Sequence, residues 1–89
     1  MAVNYEKVSQ KLKALSHPAR LKIATGLLKD ECNVAQIQRV LGLPQSTISQ
    51  HLRILKNADI IKGRREGTKT CYRVIDARVR KIVEIIRSK

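Results

Sequence analysis

The sequence predicts a mainly α-helical single domain with one small β-hairpin, and three observations support this fold class. Apolar residues recur at spacings of three and four in five stretches, which is typical of amphipathic helices. Strand-forming residues lie on both sides of a turn at Glu66-Gly67, which predicts a hairpin. The chain has 89 residues, the length of one domain near the lower limit for independent folding.

Two helices are expected before residue 30. Asn4 is the expected N-cap of the first helix, which runs to about Leu15. Its apolar stripe consists of Val8, Leu12 and Leu15. The stretch Ser16-His17-Pro18 ends this helix, because the residue before a proline disfavours helical geometry. Pro18 suits the first position of a second helix to about Leu28, since that position needs no backbone N–H.

The predicted centre of the chain is a pair of helices, residues 34–58, joined by a turn at Gly42. The apolar stripe of the first helix consists of Val34, Ile37, Val40 and Leu41. In the second, Ile48, Leu52 and Leu55 recur at i, i+4 and i+7 and must be buried. The opposite face carries short or forked polar side chains, which can reach base edges in a major groove. The pair is therefore either a DNA-reading helix-turn-helix or a helical hairpin that only packs.

Residues 60–75 are the expected hairpin, with a charged tip that contains two glycines. Asp76 is the expected N-cap of a last helix that runs to about Arg87. Cys32-Asn33-Val34 is short and ambiguous; it is compatible with a two- or three-residue strand that leads into the following helix, with Asn33 as N-cap. The order helix, helix, short strand, helix-turn-helix, hairpin, helix predicts a winged helix-turn-helix in which the hairpin is the wing.

The net charge favours a polyanionic partner. The chain has 19 Lys and Arg against 7 Asp and Glu, a formal charge of +12, and domains this basic most often bind nucleic acid. A solvated basic surface would give the same count. Aromatic residues make up 2% of the chain, with no Trp or Phe. Single-stranded DNA and RNA are bound by stacking on such residues, so double-stranded DNA is the expected partner.

Two groups of residues are predicted to contact that DNA. On the second helix of the pair, base or phosphate contacts are expected from Gln45, Ser46, Thr47, Ser49, Gln50 and Arg53. At the wing, phosphate contacts are expected from Lys62, Arg64, Arg65 and Lys69. His51 lies beside the buried stripe and is expected to be a partly buried imidazole rather than a ligand.

The terminal helices, residues 4–16 and 76–87, both carry apolar stripes, and no further element remains to cover them. A homodimer would bury both and would place two recognition helices about 34 Å apart on a near-palindromic DNA site. The expected interface residues are Val8, Leu12, Val79, Ile82, Val83 and Ile86.

Several classes of protein are not expected. The sequence has no paired carboxylates in a shared pocket, no nucleophile with a neighbouring base and no glycine-rich phosphate loop, so neither an enzyme nor a cofactor is expected. It has no apolar run long enough for a membrane helix and no signal-peptide core, so we expect a location in the cytosol.

Two stretches resemble a known family. Residues 12–23, LKALSHPARLKI, resemble the LKALSHPxRLxIL signature of ArsR/SmtB-type bacterial repressors, and residues 43–52 are similar to that family's recognition helix. Glu66-Gly67, Tyr72 and Val74 fit its wing. The resemblance spans nearly the whole chain and implies a homodimeric repressor that leaves its operator when an inducer binds or reacts. A constitutive regulator without inducer and a winged-helix protein-interaction module are the alternatives.

The metal sites of that family are not expected here. Asn33 and Ala35 occupy the positions of the family's cysteine pair, and the last helix offers only Asp76 and Glu84 and no histidine. Soft metals need thiolates and zinc usually needs imidazole, so we predict no metal site.

Cys32 and Cys71 are the remaining candidates for a switch. In a winged helix the strand before the helix-turn-helix pairs with the second wing strand, which would bring the two cysteines together. A disulfide or persulfide-type bridge there would strain the wing against the helix pair and shift DNA affinity, in outline like thiol-sensing members of the family. Two reduced thiols that pack as small apolar groups are the alternative.

Overall fold

The structure, a computed structural model, describes residues 2–88. Its elements are α1 Tyr5–Leu15, α2 Pro18–Lys29, α3 Val34–Leu41, α4 Gln45–Asn57, β1 Ile61–Glu66, β2 Lys69–Val74 and α5 Ala77–Arg87. The helix-turn-helix of α3 and α4 is followed by a two-stranded antiparallel wing, so the predicted fold class is confirmed. Within residues 2–88, no helix is both long and apolar enough to cross a bilayer.

Side chains cap three of the helices. The Asn4 side chain accepts a hydrogen bond from the Lys7 N–H at 3.1 Å, as predicted for α1. Pro18 is the first residue of α2, and His17 Nδ1 caps that helix by accepting from the Ala19 N–H at 3.1 Å. Asp76 Oδ1 accepts from two backbone N–H groups at the start of α5, which confirms its predicted role.

Asn33 is the N-cap residue of α3, as predicted, but its side chain makes no capping hydrogen bond. Its Nδ2 donates instead to the Gly26 carbonyl at 3.5 Å. Its Oδ1 is buried without a hydrogen-bond partner among the described residues. The α2–α3 connection folds Asn33 back onto α2, which takes its side chain away from the first turn of α3.

The core is aliphatic and lies between α2, α4, the wing and α5. Its most deeply buried large side chains are Ile23, Leu27, Leu55, Ile60, Val74, Val79 and Val83. Val79 and Val83 are 2% and 0% exposed within one protomer. Their predicted place in a subunit interface is therefore corrected: both face the protomer's own core, because α5 packs on α2 and β2. Val40, a member of the predicted apolar stripe of α3, is 79% exposed.

The wing is a regular hairpin whose second strand touches the α2–α3 turn. The strands pair from Ile61↔Val74 to Glu66↔Lys69, and Gly67 adopts a left-handed φ of 64° in the two-residue loop. Residues 31–33 form no strand. A single backbone hydrogen bond from the Tyr72 N–H to the Glu31 carbonyl, 2.8 Å long, joins this turn to β2.

An ion pair fastens α1 to the start of α5. Lys11 Nζ donates to Asp76 Oδ2, and the side chains are 21% and 10% exposed. Burial alone would raise the pKa of the Asp76 carboxyl. The hydrogen bonds from Lys11 and from the Val79 and Arg78 N–H groups outweigh it, so this pKa lies below its ordinary value of 3.8.

Candidate nucleic-acid interface

Helix α4 presents a polar face to solvent and an apolar face to the core. Ile48, Leu52 and Leu55 are buried, as their spacing predicted. The exposed side chains of Ser46, Ser49, Gln50 and Arg53 line a shallow cleft of about 390 Å³. The structure therefore brings together four of the six residues predicted on this helix. Gln45 is exposed at the first position of α4, and Thr47 is half-buried.

The start of α4 is also suited to an anion. Gly42 ends α3 with a left-handed φ of 66°, and Pro44 precedes α4 without giving it a side-chain cap. The Thr47 and Ile48 N–H groups donate to the Pro44 carbonyl at 3.1 Å. This leaves the N–H groups of Gln45 and Ser46 at the end of the helix where the dipole is positive. A DNA phosphate is a ligand that such a helix end can bind.

His51 anchors α4 to the start of α2. Arg20 NH1 donates to His51 Nδ1 at 3.2 Å, since a guanidinium cannot accept a hydrogen bond. The His17 and His51 rings lie 4.7 Å apart. Burial lowers the pKa of His51, and the neighbouring His17 and Arg20 lower it further. His51 is thus a structural imidazole, as expected. Because its pKa is lowered on folding, its contribution to stability is full above its ordinary pKa of 6.5 and is lost as the pH falls.

The four predicted wing cations are exposed, but they differ in their partners. Arg64 donates to Glu31 Oε1 at 2.7 Å and to Glu66 Oε1 at 2.9 Å. Both hydrogen bonds raise the pKa of Arg64, and the one with Glu66 has the larger effect. Lys62, Arg65 and Lys69 form no ion pair with the described residues. Arg64 in this conformation thus gives two of its donors to carboxylates, while the other three cations face solvent.

Cys32 and Cys71 are joined by a disulfide with a Cα–Cα distance of 4.3 Å, so their predicted approach is confirmed. Cys71 is fully buried on β2, whereas Cys32 lies in the exposed α2–α3 turn. Arg64 lies opposite Cys71 in the strand register, and its partner Glu31 adjoins Cys32. The disulfide, the Arg64–Glu31 pair and one backbone hydrogen bond therefore connect the wing to the same turn.

Helices α1 and α5 expose apolar side chains that the protomer does not cover. Leu12 is 50% exposed and Ile86 is 56% exposed, while Val8 and Ile82 are half-buried. The exposed set on these helices also includes Tyr5 and Ile85. Of the six residues predicted for a subunit interface, Val8, Leu12, Ile82 and Ile86 thus remain accessible.

Two contacts around this interface were missed from the sequence. Arg20 and His51 are 31 residues apart, and Glu31 and Arg64 are 33 apart. No local spacing signals such pairs. The N-cap role of His17 had a usable signal, because Pro18 marked the first helical residue and the residue before it must be the cap.

Comparison with known proteins gives consistent matches over most of the chain. The family described as "Bacterial regulatory protein, arsR family" matches residues 17–62. An uncharacterized HTH-type transcriptional regulator of Methanocaldococcus jannaschii is 42% identical over 83 residues, which cover 92% of this chain and 93% of that protein.

Solved structures agree with the fold. The transcriptional repressor PagR of Bacillus anthracis is 37% identical, with a TM-score of 0.80 over 92% of this chain and 94% of that one. A homodimeric winged helix-turn-helix DNA-binding domain from Mycobacterium bovis, described as a possible ArsR-family transcriptional regulator, is 30% identical. Its TM-score is 0.81 over 92% of this chain and 76% of that one.

Proposed function

Because this chain belongs to the arsR family of bacterial regulatory proteins, we propose that it is a homodimeric transcriptional repressor. It binds a near-palindromic operator in double-stranded DNA and acts in the cytosol of a bacterial or archaeal cell. The net charge of +12 supplies the attraction to phosphate. The similarity to PagR, a transcriptional repressor, supports the direction of the regulation.

The exposed polar face of α4 is the observation that carries this proposal. Ser46, Ser49, Gln50 and Arg53 have no structural role in the core and line one cleft. Gln50 has the amide needed for a bidentate contact with adenine, and Arg53 has the fork that suits guanine or phosphate. Gln45 and Thr47 complete the proposed contact surface on α4, and Lys62, Arg65 and Lys69 extend it along the wing.

Replacing Gln50 by Ala tests base reading. We expect a loss of about 1–3 kcal/mol in binding to the operator, because one bidentate base contact is removed. Binding to random duplex should change little, since Gln50 contributes no charge. Fluorescence anisotropy with the protein's own promoter fragment and a scrambled duplex of equal length measures both affinities. Gln10→Ala, an exposed glutamine on α1, is the matched control. Equal losses on both duplexes would contradict base reading by Gln50, and no binding to either would contradict the repressor.

The dimer is proposed to form through the exposed apolar faces of α1 and α5. Val8, Leu12, Ile82 and Ile86 are the predicted interface residues that remain accessible. The homodimeric state of the similar Mycobacterium bovis domain supports this assignment. A two-fold axis between these helices would present two copies of α4 to successive major grooves.

Leu12→Asp tests that interface. Two-fold symmetry places the new carboxylate in the interface twice, and an unpaired buried charge is costly. We expect the dimer dissociation constant to rise about a hundredfold or more, measured by sedimentation equilibrium. Val40→Asp changes an equally apolar, 79% exposed residue on α3 and should leave the dimer intact. A stable Leu12→Asp dimer would place the interface elsewhere.

We further propose that the cysteine pair makes the repressor responsive to oxidants. A peroxide would take two electrons and two protons from the Cys32 and Cys71 thiols, which forms the disulfide and water. The disulfide ties the wing to the α2–α3 turn, and the wing carries proposed phosphate contacts. Its oxidation state therefore sets how freely the wing can follow the DNA backbone.

A further inference from the structure

A groove of about 650 Å³ lies between α2, α3 and the end of α5. This volume is within the range of about 300–1,000 Å³ that small-molecule sites occupy. Its apolar lining comes from Leu21, Ile37, Val40, Leu41 and Ile86. None of the residues that we assign to DNA contact lines it. We call it the α2–α3 groove.

The apolar walls of the α2–α3 groove are unusually exposed for side chains of their type. Val40 is 79% exposed and Ile86 is 56% exposed. Both line the same groove, and Ile86, which also belongs to the proposed dimer face, is exposed to this extent within one protomer. An apolar molecule in the groove would remove both from water, which is favourable in proportion to the area covered.

All charged residues that line the α2–α3 groove are positive. Lys22, Lys29 and Arg87 line it, and no acidic residue does. None of these three cations forms an ion pair with any residue from 2 to 88. Because Lys22 and Lys29 are seven residues apart on α2, they project from the same side of that helix. A bound anion would therefore meet more than one positive charge.

We propose that the α2–α3 groove binds an amphipathic carboxylate, an alkyl or aryl acid whose tail covers Val40 and Ile86 and whose carboxylate meets the three cations. This proposal rests on the proposed repressor function, and it makes the groove the binding site of the inducer. A second copy of this chain is the alternative occupant, since Ile86 also belongs to the proposed dimer face. The carboxylate is favoured because every charged residue of the lining is a cation.

The position of the α2–α3 groove links the two parts of the repressor. Ile37 lies on α3, the first helix of the helix-turn-helix, while Ile86 lies on α5, the proposed dimer helix. The α2 and α3 helices are in close contact at Gly26, where an added Cβ would lie 2.7 Å from Ile37 Cδ1. A ligand that prefers a wider groove shifts α3 relative to α5 and so changes the spacing of the two recognition helices. It acts only through such a difference in affinity between the two arrangements.

Octanoate is the probe that tests this site. Titration into the full-length protein, followed by methyl NMR, should shift the signals of Ile37, Val40 and Ile86. Octanoate should bind about fivefold more tightly than 1-octanol, because exposed cations each add a modest attraction. Each methylene removed, from octanoate to heptanoate to hexanoate, should weaken binding about fourfold. Equal affinity for octanol, or shifts that leave Ile37 and Val40 unchanged, would overturn the site.

Charge variants separate a built site from general attraction. Lys29→Glu should weaken octanoate binding about threefold, since it replaces one of three modest attractions by a repulsion. Lys81→Glu makes the same change in net charge on α5 and does not line the groove, so it should bind as the wild type does. Equal weakening in both would overturn the site, as would a Val40→Asp protein that is monomeric, because a second copy would then cover the groove.

Operator affinity distinguishes failure of this site from failure of the repressor. Without octanoate, wild type and Lys29→Glu should both bind the promoter fragment. At saturating octanoate we expect operator affinity to fall about tenfold in the wild type, and Lys29→Glu should need a higher octanoate concentration for the same loss. Operator binding that ignores octanoate would overturn the effector role alone. Failure to bind the operator under any condition would overturn the proposed repressor function. The groove would still be tested in that case, because NMR measures octanoate binding independently of DNA.

Discussion

Reducing the Cys32–Cys71 disulfide is expected to lower the free energy of unfolding by about 4 kcal/mol. The sequence separation of the bond is 39 residues, and a cross-link over such a loop restricts the unfolded chain strongly. Small domains have unfolding free energies of about 5–15 kcal/mol, so this is a large fraction. Dithiothreitol supplies the two electrons and two protons that turn the disulfide into two thiols. Urea unfolding with and without dithiothreitol measures the loss. Both curves are recorded at one protein concentration, because dimers gain stability from association.

A cysteine-free variant is the control for that experiment. Cys32→Ser with Cys71→Ala removes both sulfurs, and alanine avoids placing a hydroxyl in the buried site of Cys71. This variant should have the stability of the reduced wild type, and dithiothreitol should not change it. The prediction would be contradicted if dithiothreitol-treated wild type, shown by a thiol assay to carry two free thiols, unfolded at the same urea concentration as the oxidised protein.

Reduction should also tighten operator binding, by up to about tenfold. In the disulfide form, Glu31 is held beside the wing next to Cys32, and it binds Arg64. Without the bond, the turn can move away and Arg64 can exchange Glu31 for a DNA phosphate. One added phosphate contact steepens the salt dependence by about 0.9 in the log–log slope. Anisotropy titrations over a salt series, with peroxide or dithiothreitol, measure both quantities; the cysteine-free variant should respond to neither reagent.

The elements of this fold are local features, which explains why the sequence predicts them well. Helix ends at Asn4, Pro18 and Asp76 depend on neighbours within three residues. The hairpin depends on a glycine that can adopt positive φ at residue 67. The polar face of α4 follows from helical periodicity once the buried stripe of Ile48, Leu52 and Leu55 is identified.

Apart from the approach of Cys32 and Cys71, contacts between distant residues were not predicted from the sequence. The interface expectation for Val79 and Val83 was wrong because periodicity reveals that a face is apolar but not which surface covers it. Helix α5 has two apolar faces, and one packs on the protomer's own α2. Arg64 was assigned to DNA by its place at the wing, whereas its carboxylate partner Glu31 became visible only in three dimensions. The electrostatic state of a predicted contact residue thus depended on tertiary structure.

Replacing Asp76 by Ala is expected to destabilise the fold by about 2–3 kcal/mol. The N-cap of α5 contributes about 1 kcal/mol of this, because the Arg78 and Val79 N–H groups lose their acceptor. The rest comes from Lys11, which is left without its partner. Its side chain is 21% exposed and can turn to water, so the cost stays below that of a fully buried charge. The melting temperature should fall by roughly 10–20 °C.

The pH dependence of that loss identifies the ion pair. Asp76→Asn keeps a capping side chain but lacks the charge, so it isolates the interaction with Lys11. The pKa of Asp76 in the folded state lies below 3.8, so the ionised carboxylate stabilises the fold above that pH. Its contribution disappears as the pH falls through the folded-state pKa. The difference in unfolding free energy between wild type and Asp76→Asn should stay constant from neutral pH to about pH 4.5 and shrink in stronger acid.

Protonation of His51 does not disturb this comparison. Its lowered pKa makes both proteins lose stability as the pH falls below 6.5, and the two losses cancel in the difference. Glu6→Gln removes the charge of an exposed carboxylate on α1 and should change stability by no more than about 0.5 kcal/mol at any pH. A wild-type advantage over Asp76→Asn that persists undiminished in strong acid would contradict the ion pair. It would assign the whole effect to the cap, and α1 would then be joined to α5 by apolar packing alone.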